Sequence, residues 1–140
     1  MPRPAWRTVE HVGEWQVAVA ADTLEQVLVE VARVVARSAD AAHGPAGEWE
    51  PVVVNARDTT TLLADWANEL LGRSEATSRV YGEVRHVRVR VLPNGSVEAS
   101  GDVRGRDAGE WRSPLKAATY HALSLVRDGR RWRATLLFDV

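Results

Sequence analysis

The chain has no cysteine, one methionine, one phenylalanine and, among eighteen basic residues, a single lysine. Without cysteine there is no disulfide scaffold, no thiolate zinc centre and no cysteine nucleophile, and the expected setting is a reducing, cytoplasmic one. No apolar run approaches the ~20 residues a membrane helix needs. The opening Met-Pro-Arg-Pro-Ala-Trp lacks the apolar segment of a secretory signal. A Gly-rich phosphate loop, a Walker pattern and a Ser nucleophile elbow are also missing, so triad hydrolysis and P-loop chemistry are not expected. Nor does one sign of charge dominate, since eighteen Lys+Arg against nineteen Asp+Glu leave a net charge of −1. Proteins that grip nucleic acid through its backbone are normally basic, so no direct stable nucleic-acid binding is expected.

What is present is one globular domain over residues 1–140, with 45% hydrophobic and 26% charged residues. A chain of this size buries roughly 68–70% of its unfolded surface and needs no staple. Residues 1–13 carry two prolines without a period and read as a loose lead-in, followed by a short strand at Gln16–Ala20. Asp22-Thr23-Leu24-Glu25 has the form of a capping box, with Asp22 as cap. Leu24, Val27, Leu28, Val31, Val34 and Val35 then repeat at helical spacing, predicting a helix to Ser38. Residues 41–47 read as a loop by composition and Trp49–Val54 as a strand. Asp58 is a second N-cap for a helix marked by Leu62, Leu63, Trp66, Leu70 and Leu71, with Gly72 as its C-terminal cap.

The second half reads as β. Val87, Val89 and Val91 alternate with arginines up to Pro93-Asn94-Gly95. A three-residue loop with Gly95 left-handed keeps the faces consistent, pairing Val91 with Val97 and Arg90 with Glu98. Asp102–Pro114, charged and without a period, reads as a long loop of the kind that is often functional. Ala117–Val126 and Arg131–Asp139 form a hairpin around Asp128-Gly129 as a two-residue loop. That register sets Leu125 opposite Trp132, His121 opposite Leu136 and Thr119 opposite Phe138 on an apolar face, with His121 a core histidine. Ala118, Tyr120, Asp139 and Lys116 fall on the polar face. The fold class is therefore α+β, two helices packed on a largely antiparallel sheet.

Chemistry concentrates at the chain end. Asp139 sits beside the carboxylate of Val140, and two anionic oxygen groups this close call for a cation or a lysine. A hard cation such as Ca²⁺ or Mg²⁺ takes such ligands, and one more carboxylate completes a modest site. Lys116, the lone lysine of an arginine-using chain, lies one diagonal step from Asp139, within a long side chain's reach. It can neutralise the pair or bind phosphate as a compact point charge. His11, His43, His86 and His121 show no ligand spacing. Trp49, Trp66 and Trp132 fit apolar faces, and Trp111 in the charged loop is the best partner contact.

These segments resemble the archease family. Glu10-His11 followed by an acidic residue, a strand and Asp22-Thr23-Leu24-Glu25-Gln26 is similar to the family's His-Thr-Ala-Asp opening, strand and Leu-Glu-Glu helix. Trp66-Ala67-Asn68-Glu69-Leu70-Leu71 resembles its second helix. Lys116–His121 and Leu136–Val140 resemble its lysine-containing strand and terminal Asp-hydrophobic pair. The likeness runs through nearly the whole chain in order. It implies a non-enzymatic activator of an RtcB-type RNA ligase, promoting ligase guanylylation and repeated turnover in tRNA splicing and RNA repair. It also implies a divalent metal, calcium or alternatively magnesium, held by Glu14, Asp139 and Val140, with the family's lysine at Lys116. Where the family has Thr-Ala-Asp this chain has Val12-Gly13-Glu14. Glutamate keeps both oxygens and adds a methylene, which a flexible Ca²⁺ site accommodates better than a strict Mg²⁺ octahedron. Two other readings stand beside this one: an interaction domain contacting partners through Trp111 and residues 102–114, and a small metal-dependent phosphoester hydrolase with Glu14 as base.

Overall fold

The computed structural model describes residues 5–11, 13–39 and 44–140, with β1 (Ala5–His11) described as backbone only. Residues 41–43 of the loop expected at 41–47, His43 among them, lie outside the described residues, and Ala46 and Gly47 belong to the next strand rather than to a loop. The order is β1, β2 (Glu14–Ala21), α1 (Leu24–Arg37), β3 (Ala46–Ala56), α2 (Thr59–Thr77), β4 (Arg79–Val91), β5 (Val97–Asp107), β6 (Ala117–Asp128) and β7 (Arg131–Asp139). The architecture is α+β as expected, but the strands form two antiparallel sheets, β1-β2-β7-β6 and β3-β5-β4. Among the described residues no helix is long and apolar enough to cross a membrane.

Each helix starts where a side chain can satisfy its free N–H groups. For α1 the cap is Thr23, not Asp22: Thr23 is extended, and its hydroxyl accepts from the Gln26 amide at 3.1 Å. For α2 it is Asp58, accepting from Thr61 N–H at 2.7 Å, and this bond holds the Asp58 carboxyl below its ordinary pKa. Gly72 does not end α2. The helix runs on to Thr77, burying Ser74 on the way, and stops at Ser78, which is left-handed at φ 55°.

The inner faces of both sheets join the helices in one core. Val17, Val19, Leu136 and Phe138 of the first sheet pack with Val31 of α1, and Val52, Ala99 and Val103 of the second belong to the same cluster. Trp66 is fully buried and donates its indole N–H to the Leu28 carbonyl at 2.9 Å, tying α2 to α1.

Several expectations are corrected. The lead-in is not loose: Ala5–His11 pairs with β2 along its whole length. The long loop is shorter than Asp102–Pro114 because β5 continues to Asp107, its outward charges answered by Glu83 on β4. Bulges between Val80 and Glu83 and between Arg85 and Arg88 break the alternation of β4, which hid its start at Arg79. The β4–β5 register is as expected, with Val91 opposite Val97, Arg90 opposite Glu98 and Gly95 left-handed at φ 86°. In the last hairpin the loop is Gly129-Arg130, with Asp128 opposite Arg131, so Leu125 faces Ala134 instead of Trp132. A second register shift between Thr119 and Ser124, with Ala122 at φ 54°, turns the strand over. Ala118 is therefore buried, His121 is exposed rather than a core histidine, and Thr119 faces Leu137.

Candidate functional site

Four strands end at one edge of the first sheet, and their register aligns one residue from each. His11 of β1 is opposite Glu14 of β2, Glu14 is opposite Asp139 of β7, and Asp139 is opposite Ala117 of β6. The β1–β2 connection makes this row compact, with Gly13 supplying a left-handed residue (φ 77°) in a two-residue turn. Glu14 and Asp139 sit on the sheet face turned away from the helices, since their neighbours Trp15 and Phe138 lie on the core side. Directly opposed residues hold their Cβ atoms about 4.5–5.5 Å apart, so two carboxylates share one patch.

The final residue is held rather than frayed. Val140 donates its N–H to the Gly13 carbonyl at 3.1 Å, and its side chain packs on the core. Lys116 donates its N–H to the Asp139 carbonyl at 2.8 Å. The Asn68 amide of α2 fixes the next residue but one, donating to the Ala118 carbonyl at 2.9 Å and accepting from the Ala118 N–H at 2.7 Å. One side chain thus supplies the two hydrogen bonds that a further strand would make at the sheet's edge, and it anchors the segment that carries Lys116.

Main-chain pairing sets Glu14, Asp139, Val140 and Lys116 near one another. Lys116 is exposed, and among the described residues it forms no ion pair with Asp139. It lines a groove of about 790 Å³ with Glu75, Ser78, Trp111 and Arg112, beside the C-terminal end of α2. Trp111 is half-buried, packed on the core with part of its surface on this groove.

Among the described residues no three His, Cys, Asp or Glu side chains converge as a metal cluster. The cation set implied by the resemblance therefore consists of two carboxylate side chains and the carboxylate of Val140. All its donors are anionic oxygens, which fits a hard divalent cation and not a soft one. The sequence marks Glu10-His11 as part of the family's opening, but the absence of His-to-His spacing gives no hint that His11 stands across from Glu14. Gly13, left-handed at φ 77°, precedes the strand that brings Glu14 across from His11.

A model of the Archease protein family (MTH1598/TM1083) matches residues 6–140. The protein archease of Thermococcus gammatolerans is 30% identical over 151 aligned positions, covering 96% of this chain and 98% of that protein. The protein archease of Methanopyrus kandleri is 28% identical, covering 96% and 99%. The solution structure of protein 1598 of Methanobacterium thermoautotrophicum superposes with a TM-score of 0.80 at 19% identity, covering 96% of this chain and 98% of that one. The crystal structure of a Thermotoga maritima archease, described as a possible chaperone, gives 0.66 at 17% identity, covering 100% and 98%. At these identities the two structures establish the fold.

Proposed function

Because this chain belongs to the archease family, we propose that it activates an RtcB-type RNA ligase, promoting guanylylation of the ligase and its repeated turnover without performing catalysis itself. The observation that carries this reading is the register row that sets Glu14 against Asp139 while Val140 is tied to Gly13. Two like charges directly opposed across a strand pair cost stability, and a fold accepts that cost where the charge has a task.

Glu14, Asp139 and the Val140 carboxylate would hold a divalent cation, calcium or magnesium, which when bound supplies positive charge for phosphate oxygens. The strand pairing holds the two carboxylates at a fixed spacing, so little rearrangement is needed when charge is presented to a partner. Lys116 contributes a compact ammonium on the neighbouring groove, suited to phosphate as a point charge. The Asp139 carbonyl holds its N–H, and Asn68 fixes the main chain two residues on, at Ala118. The role is electrostatic support of phosphoryl transfer in the partner's pocket.

The test is a ligase guanylylation assay with the wild type, Asp139→Asn and Lys116→Ala, with folding checked by circular dichroism. Both variants are expected to fold and to lose stimulation. Full stimulation by both overturns the site.

The groove beside Trp111 favours a second reading, an interaction domain in which the carboxylates take no metal. Calorimetry with Ca²⁺ and Mg²⁺ separates the two, since this reading requires no heat of binding.

A further inference from the structure

Trp49 does not join the core as its sequence context suggests. It is opposite Arg104, on the outer face of the β3-β5-β4 sheet. Its ring meets two guanidinium groups there, Arg85 at 4.1 Å and Arg104 at 4.5 Å from the centroid. The same face presents Arg88 and Arg90 from β4 and Arg106 from β5. Its carboxylates are shared: Glu83 bonds both Arg104 and Arg106, and Asp102 bonds both Arg85 and His86. Glu98 answers Arg90 alone. Among the described residues, β4 and β5 thus present five arginines with three carboxylates paired to them on this face, in a chain whose net charge is −1. The near-neutral total is an average over faces, and strand alternation has sorted the charges.

The third row across this face is the one with open binding capacity. Arg88 lies opposite Ser100, and Ser100 lies opposite Val53, which is 55% exposed. Arg88 is exposed and makes no ion pair among the described residues. His86 and Asp102 line the same shallow cleft of about 460 Å³. His86 has the left-handed φ of 57°, which a non-glycine residue rarely takes, and its ring is held at 3.1 Å from Asp102 with the side chain 72% exposed. An unpaired guanidinium and a hydroxyl on one cleft are donors for a phosphate.

We propose that this outer face binds single-stranded RNA, with a backbone phosphate in the cleft of Arg88, Ser100 and His86. Outward residues on a strand recur about every 6.8 Å, so successive rows can follow an extended backbone. The planar groups of the Arg85–Trp49–Arg104 stack offer surfaces to unpaired bases. An acidic peptide would use the charge but not the stack. The inference is independent of the carboxylate row.

The experiment is fluorescence anisotropy of a labelled oligouridine with the full chain at about 50 mM salt, with wild type, Arg88→Glu, Arg88→Gln and Asp139→Asn. Thermal melts establish that each is folded. Wild type is expected to bind with a Kd between about 1 and 100 µM that weakens as salt rises. Arg88→Glu is expected to weaken binding at least tenfold, Arg88→Gln by less, and Asp139→Asn not at all, which separates this face from the proposed ligase-activating site. Absence of wild-type binding, or unchanged binding by both Arg88 variants, overturns the proposal. So does equal competition by a polyglutamate peptide, which would assign the face to an acidic protein partner.

Discussion

Asp139 stands directly across the strand pair from Glu14, so that the penultimate residue of the chain and the first residue of β2 share one patch of surface. Two carboxylates in this relation repel in the absence of a cation, by about 0.5 kcal/mol. Asp139→Asn is therefore expected to raise the melting temperature slightly in EDTA, by about 1–3 °C. It is also expected to remove the stabilisation that added Ca²⁺ gives the wild type. Differential scanning fluorimetry with and without Ca²⁺ reads both effects, and a Ca²⁺ shift that survives in the variant would remove Asp139 from the ligand set.

Asn68 replaces a missing strand neighbour at Ala118. Asn68→Ala leaves the Ala118 N–H and carbonyl without these partners and is expected to cost about 2–3 kcal/mol. Urea unfolding measures the loss, and hydrogen exchange at the Ala118 amide should rise more than the global change in stability explains. Unchanged exchange there would mean the Asn68 bonds do not hold the start of β6.

At Gly82, β4 lies close against α1. A Cβ built on it falls 2.8 Å from the Ala36 Cβ. Gly82→Ala is expected to destabilise by about 1–3 kcal/mol through overpacking. Adding Ala36→Gly should recover part of that loss despite the helix cost of glycine, about 1 kcal/mol. A double-mutant cycle in denaturant reads the coupling, and strict additivity would refute the contact.

Acid sensitivity follows from two carboxylates. The hydrogen bond from Arg104, followed by that from Arg106, holds Glu83 below its ordinary 4.5. The Thr61 N–H holds Asp58 below 3.8. A lowered folded pKa contributes stability that is complete above the unfolded value and is lost as pH falls through the folded one. Stability should therefore drop as pH falls from about 5 towards 2, and Glu83→Gln should flatten that drop while lowering stability at pH 7. Melting curves across this range decide it; a Glu83→Gln profile parallel to wild type would contradict the assignment.

Short-range signals were legible where they were local. Asp58 announces α2 because its bond to Thr61 spans three residues. Pro93-Asn94-Gly95 fixes a hairpin register because Gly95 alone there takes a positive φ at little cost. Trp66 was read as core and is fully buried. The misplacements share a cause. His121, Ala118 and the start of β4 lie at or beside irregularities, and an odd number of inserted residues exchanges the faces on one side relative to the other. The apolar strand that contains Trp49 suggests an inward ring, but pairing with Arg104 turns it out.

The sequence by itself determined the two helices, the α+β class, the acid–hydrophobic ending and the solitary lysine, because these depend on periodicity, capping and composition over a few residues. Only the tertiary structure decided that His11, Glu14 and Asp139 form one row, that Lys116 shares a main-chain bond with Asp139 and also borders a separate groove, and that the arginines of β4 and β5 gather on one face. Those outcomes rest on which strands pair and in what register. Register is a long-range choice, set when both sheets and both helices bury their apolar faces together.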